Sequence, residues 1–192
     1  MASDLQRNTM KVLISTRSLP SPGGFMFDAY ERGFNSMFKD HDITALINKK
    51  HQNFEEFADT HDLLVLSGGD DYPLRLMTEI EMIKQFRQRK KPILGICHGA
   101  FLLTQLWGGQ LISVEGHRRT EHNVLYKYEQ RTVNSYHGSS ITVAPTDAKV
   151  LVTDDNGYIE SWQYENVMAV VWHPERDLEH HWLPDEYYDI IN

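Results

Sequence analysis

In the first half of the chain, short apolar runs alternate with segments of helical periodicity. Strands are expected over 11–16, 43–47, 63–66 and 93–96. The run Leu63-Leu64-Val65-Leu66 is apolar throughout, as a central strand covered on both faces should be. Between the strands, Phe27, Tyr30, Phe34, Met37 and Phe38 recur at helical spacing and predict an amphipathic helix over 27–38. Asp28 would then suit the positive end of its dipole, and 17–24 reads as a loop. A short helix over 53–58 has Asn53 as its cap. A longer one over 78–90 carries Ile80, Ile83 and Phe86 on one face and ends in basic residues. Another, over 100–107, follows the fourth strand. The order β-α-β-α-β-α-β-α predicts a doubly wound α/β domain with a mostly parallel sheet. Ligands in such sheets bind at the carboxyl ends of the strands.

The pattern changes after Trp107-Gly108-Gly109. Strands are expected over 110–114, 123–128, 141–143, 150–153, 158–163 and 167–171. Asn156-Gly157 between apolar runs is a hairpin signal. The last strand is apolar throughout and is expected to rejoin the main sheet. The acidic, aromatic tail 178–192 reads as a final helix or loop. No linker or repeat interrupts the pattern, so 1–192 reads as one domain.

Composition narrows the possibilities. A net charge of −8 argues against a general nucleic-acid or anionic-membrane binder. No apolar run approaches the roughly 20 residues that span a bilayer. The polar segment 1–10 lacks the apolar core of a secretory signal. The single cysteine fits a reducing compartment, so a cytoplasmic location is expected.

That cysteine is also the candidate for chemistry. Gly95-Ile96-Cys97-His98-Gly99 lies between a strand end and a helix start, with glycine two residues to either side, the layout of a nucleophile elbow. A lone cysteine is more often a small buried hydrophobe, and a free thiol with a pKa of about 8.5 is only about 3% ionised at pH 7. Catalysis therefore needs a base. His98, His137 and His173 are the candidates. His173 is the best of them, because Glu175, two residues on in an extended segment, points the same way and can orient the imidazole. The N–H of His98 and one from the Gly68-Gly69 turn are expected to form an oxyanion hole. His117 and His122 are five apart with no evident carboxylate pattern, so they read as part of a polar loop and no metal site is expected. Arg118 and Arg119 in that loop are candidates to meet an anionic group.

The ordered set Ser67-Gly68-Gly69-Asp70, Gly95-Ile96-Cys97-His98-Gly99, Val133-Asn134-Ser135-Tyr136-His137 and Trp172-His173-Pro174-Glu175 resembles the class I glutamine amidotransferase superfamily, and most of all its free-standing γ-glutamyl hydrolase branch. The resemblance implies a flavodoxin-like three-layer sandwich, with extra antiparallel strands in the C-terminal half. It implies that Cys97 attacks a γ-glutamyl carbonyl, that His173 is the general acid/base and Glu175 its orienter, and that Gly69 and His98 stabilise the oxyanion. Gly68, Asp70, Asn134, Ser135, Tyr136 and His137 would line the substrate pocket. No cofactor is implied. The substrate would be a small γ-glutamyl metabolite, with a homodimer or a synthetase as possible assemblies. One departure is Phe101, where the family usually has Gln or Glu to help hold the glutamate. A glutaminase subunit feeding ammonia to a synthetase is the first alternative. A deglycase-like enzyme, whose histidine beside the cysteine is catalytic, and a non-catalytic binding relative are the others.

Overall fold

The computed structural model describes residues 9–23, 25–177 and 179–191. Most of the polar N-terminal segment, Gly24 of the first loop, and Leu178 and Asn192 of the tail lie outside the described residues. In chain order the elements are β1 (Lys11–Ser15), β2 (Arg17–Pro20), β3 (Met26–Ala29), α1 (Gly33–Met37), β4 (Asp42–Leu46), α2 (Phe54–Thr60), β5 (Leu63–Leu66), α3 (Pro73–Gln88), β6 (Ile93–Ile96) and α4 (His98–Leu106). There follow β7 (Gln110–Ser113), β8 (Arg118–Tyr126), β9 (Glu129–Tyr136), β10 (Ser139–Val143), β11 (Lys149–Asp154), β12 (Ile159–Tyr164), β13 (Val167–Val170), a 3-10 turn (Pro174–Arg176) and α5 (Glu186–Ile191).

Among the described residues, eleven strands join in one sheet, ordered β4-β1-β5-β6-β13-β12-β11-β8-β9, with β10 beside β12 and β7 beside β10. The pairs from β4 to β13 are parallel, and those beyond β13 are antiparallel. The last apolar strand does rejoin the parallel half, so residues distant in sequence meet at its centre. Strand alternation divides the core into two faces. Val12, Ile14, Leu63, Val65, Leu94, Ile96, Met168 and Val170 pack with Phe34, Phe38 and Tyr187 on one side. Leu13, Leu64, Leu66, Ile93, Val167 and Ala169 pack with Met82, Phe86 and Leu103 on the other. This is the three-layer arrangement expected.

Several elements differ from expectation. The helix over 27–38 is replaced by β3, paired antiparallel with β2, and the five-residue α1. Asp28 caps no helix; its carboxylate accepts from the backbone N–H and side-chain Nδ2 of Asn48 at 2.7 and 2.8 Å. That anchor holds the segment extended. Phe34 and Phe38 still supply buried aromatic surface, whereas Phe27 is exposed. Helix α3 starts five residues before the expected position, with Pro73 in its first turn, where a missing N–H is harmless. Asn53 does cap α2, accepting from the Glu56 N–H at 3.2 Å. The region 129–136, not read as a strand, is β9, joined to β8 through Lys127 and Tyr128, both at positive φ.

Candidate active site

The chain leaves β6 at Ile96, turns at Cys97 and enters α4 at His98. Cys97 has φ 51° and ψ −101°, a conformation that costs a non-glycine residue on the order of 1–3 kcal/mol and persists only when its surroundings enforce it. Two backbone hydrogen bonds do so: Cys97 N–H donates to the Val170 carbonyl at 2.9 Å, and its carbonyl accepts from Phe101 N–H at 3.0 Å. The turn is too tight for flanking side chains. A Cβ on Gly95 would lie 2.7 Å from the Gly99 carbonyl oxygen, and one on Gly99 would lie 2.4 Å from that of Leu66. Helix α4 begins immediately after the sulfur and leaves its first N–H groups free of intrahelical partners.

Strand β13 lies beside β6 with Val170 opposite Ile96, so the segment after it reaches the same sheet edge as Cys97. His173 and Glu175 are both buried there, with His173 Nδ1 and Glu175 Oε1 2.6 Å apart. Burial alone would lower the His173 pKa. The hydrogen bonds and charges of Cys97 and Glu175 outweigh it and carry the pKa up to about 9. The ring is thus an imidazolium at neutral pH. Asn134 clamps the His173 backbone, accepting from its N–H at 2.9 Å and donating to its carbonyl at 2.8 Å. Tyr136 meets the imidazole edge-on, with centroids 5.3 Å apart, and the Arg176 guanidinium lies 4.4 Å over the tyrosine ring. On the opposite side, a Cβ on Gly68 would approach His173 Cε1 to 2.3 Å, so glycine is what lets the β5 turn close against the ring.

A buried ionic network holds that turn. Arg75 donates to the Ser67 carbonyl at 2.6 Å and to the carbonyls of Gly68 and Asp70 at 3.3 Å, while its Nε meets Glu79 at 3.0 Å. Glu79 also accepts from Ser15 at 2.7 Å. His98 lies between two carboxylates, with Nε2 2.7 Å from Glu79 and Nδ1 2.7 Å from Asp71. Desolvation opposes charge on His98, but those two partners raise its pKa overall. Both ring nitrogens are therefore engaged away from Cys97.

Cys97, His173, Glu175, Gly68, Gly69 and the His98 backbone thus converge at one edge. Of the side chains expected to line a pocket, Asn134 and Tyr136 line the cavity beside the site, and the others diverge. Tyr136 faces His173, Asp70 is exposed, Asn134 is committed to the His173 backbone, and Ser135 donates to the His117 carbonyl at 2.6 Å. His137 points into a cluster with His117 and His122, the pair set aside as a polar loop: their rings lie 5.0 to 6.0 Å apart. Burial, with the neighbouring histidines, lowers the His137 pKa to about 4. Phe101 packs edge-on against His137 at 6.1 Å. A cavity of about 850 Å³ borders the site and is lined by Arg131, Tyr136, Trp172, Arg176, His180 and Trp182 among others. Among the described residues, no helix is long and apolar enough to cross a membrane.

A parallel sheet edge carrying a strained cysteine, a paired histidine and a glycine turn defines a class of proteins. The family model for glutamine amidotransferase class-I matches residues 28–188, and the chain belongs to that family. It is 28% identical over 141 residues to the γ-glutamyl-CDP-amidate hydrolase of Campylobacter jejuni, covering 67% of this chain and 70% of that protein. It is 25% identical over 207 residues to the glutamine amidotransferase-like protein YvdE of Lactococcus lactis, covering 83% and 86%. A carbamoyl phosphate synthase small chain of Pyrobaculum aerophilum is 27% identical over 146 residues, covering 71% of this chain and 42% of the relative. In fold, it matches a glutamine amidotransferase of Thermotoga maritima with a TM-score of 0.66 at 18% identity, covering 94% of this chain and 83% of that one.

Proposed function

We propose that this protein is a thiol hydrolase that cleaves the γ-glutamyl amide C–N bond of a small metabolite. The observation that carries the reading is the Cys97 elbow facing a buried His173 imidazolium paired to Glu175 at 2.6 Å. In this reading the Cys97 sulfur, its proton carried by His173 as a thiolate–imidazolium pair, adds to the γ-carbonyl carbon. Charge developing on the carbonyl oxygen meets N–H groups of Gly69 and His98. His173 gives its proton to the departing nitrogen, the C–N bond breaks, and a γ-glutamyl thioester remains on Cys97. His173, now neutral, takes a proton from water as the water attacks the thioester. The C–S bond breaks, releasing glutamate and restoring the resting site.

The leaving group is read as an anionic, ring-bearing phosphoramidate. Arg131 and Arg176 supply cationic surface to the cavity beside Tyr136, and Trp172 and Trp182 supply flat apolar surface. Glu121 and Asp177 on the same lining would favour a defined orientation for such a group. The name of the Campylobacter relative supports this chemistry. Phe101, apolar and half-buried where the family usually has Gln or Glu, argues for a change in how the glutamyl end is held. The deglycase-like reading is disfavoured because both nitrogens of His98 are already bound to carboxylates.

The test is glutamate release from three substrates: a γ-glutamyl nucleotide phosphoramidate, a γ-glutamyl alkylamine and free glutamine. The phosphoramidate should be turned over fastest, Cys97→Ala should be inactive while still folded, and Cys97 should carry a trapped γ-glutamyl adduct in intact-mass spectra. Unchanged turnover in Cys97→Ala would overturn the mechanism. Preference for glutamine, rising on addition of a synthetase, would favour the subunit reading that the carbamoyl phosphate synthase small chain suggests.

A further inference from the structure

A second group of chemistry-bearing side chains lies on the β8–β9 arm and takes no part in the proposed hydrolysis. His117, His122 and His137 each offer one ring nitrogen, and these three atoms lie within 4.8 Å of one another. Glu160 of β12 lies beside His122 and His137 and is fully buried. Its Oε2 is 3.5 Å from His122 Nε2, and its Oε1 is 3.9 Å from His137 Nε2. Those separations are long for hydrogen bonds. They resemble the spacing of neighbouring donors around a tetrahedral ion, roughly 3.4 Å when metal–nitrogen bonds are about 2.0–2.1 Å.

The polar accounting points the same way. His117 Nδ1, both ring nitrogens of His122, His137 Nε2 and both carboxylate oxygens of Glu160 are buried with no hydrogen-bond partner among the described residues. Buried polar atoms are nearly always satisfied, and six orphans in one cluster call for a partner that the side chains themselves do not supply. His137 is already set up for one. Its Nδ1 lies 2.7 Å from the Ser139 carbonyl, a contact that requires the proton on Nδ1 and leaves the Nε2 lone pair free. This carbonyl-to-histidine support is the usual way a ligating imidazole is oriented.

Local backbone structure explains how the histidines meet. His122 is opposite Val133 on β9, and His137 follows four residues later, just past the end of that strand, so His122 and His137 share a face. His117 and His122 are five apart, which in a regular strand puts them on opposite faces. Pairing slips between Arg118↔Tyr136 and Thr120↔Ser135, where Arg119 has φ 59°. That bulge adds one residue to β8 and turns His117 onto the face of the other two.

We propose that His117, His122, His137 and Glu160 form a four-coordinate site for a divalent transition metal, with zinc the best match to three imidazoles and one carboxylate. With four protein ligands the site is closed, and its role is to fasten the β8–β9 arm to β12 beside the pocket. It uses no residue of the Cys97 mechanism and stands or falls separately from it.

The test is metal binding by the intact chain carrying Cys97→Ser, which removes the thiol as a competing ligand. Chelator-stripped protein should take up one equivalent of Zn²⁺ and gain thermal stability. Co²⁺ should give the intense visible d–d bands of a tetrahedral site. His122→Ala and Glu160→Gln should each weaken Zn²⁺ binding by at least the tenfold loss typical even of outer-shell changes, whereas the exposed His51→Ala should not. Far-UV circular dichroism without metal establishes that each variant is folded. Failure to bind Zn²⁺, or equal binding by a folded His117→Ala/His122→Ala/His137→Ala variant, would overturn the proposal and leave a hydrated polar cluster.

Discussion

At the scale of single residues, the balance at His173 decides both reactivity and a share of stability. Its ring is charged because Cys97 and Glu175 outweigh desolvation, with a pKa of about 9. The proton donor of the proposed reaction is therefore present below pH 9, and kcat/KM should fall as the pH rises through that value. Glu175→Gln removes one of the groups that raises the pKa, so the alkaline limb should move to lower pH; a profile of glutamate release against pH measures the shift. The folded pKa lies above the unfolded value of about 6.5. The stabilisation from this charge is therefore complete below about pH 6.5 and is lost as the pH rises through about 9. Thermal midpoints recorded across that window should decline more in the native sequence than in His173→Gln. His98 makes the useful contrast. Its nitrogens serve Glu79 and Asp71, so His98→Ala should keep far more turnover than His173→Ala in the same assay.

At the scale of elements, the site depends on three chain reversals, each with its own physical constraint. The elbow leaves no room at Gly99, so Gly99→Ala should lose roughly 1–3 kcal/mol through overpacking against Leu66, measured by urea denaturation. The β5 turn is held by Arg75, which is fully buried with Glu79. Arg75→Met would leave Glu79 only His98 and Ser15 as partners and should destabilise the fold by less than the roughly 3–5 kcal/mol of a fully stranded buried charge, with turnover falling as the Gly68-Gly69 turn loosens. The elbow, the glycine turn and the His-Pro-Glu segment were legible in the sequence because each is local, a few adjacent residues whose chemistry and spacing suffice. The 27–38 segment was misread because aromatic residues at helical spacing also suit a hairpin followed by a single helical turn. What chose between them was Asp28 reaching Asn48, twenty residues away. The histidine cluster was missed for a similar reason: spacing of five along a strand argues against a shared face unless a bulge intervenes, and nothing local marks Arg119 as one.

At the scale of the whole molecule, the parallel half positions the chemistry and the antiparallel half supplies the wall beside it. The return of β13 between β6 and β12 joins them and explains how Cys97 and His173, in different halves of the chain, come together. The wall itself depends on its pairing register as much as on its composition. A chain lacking only Arg119 would place His117 and His122 four apart, so that regular pairing of β8 with β9 would itself keep His117 on the face of His122 and His137. Deletion of that one codon should therefore preserve the cluster, whereas straightening the bulge with Arg119 retained would turn His117 to the opposite surface with every side chain intact. Among homologous chains, a spacing of four with regular pairing, or of five with a bulge, would then mark those that share the cluster.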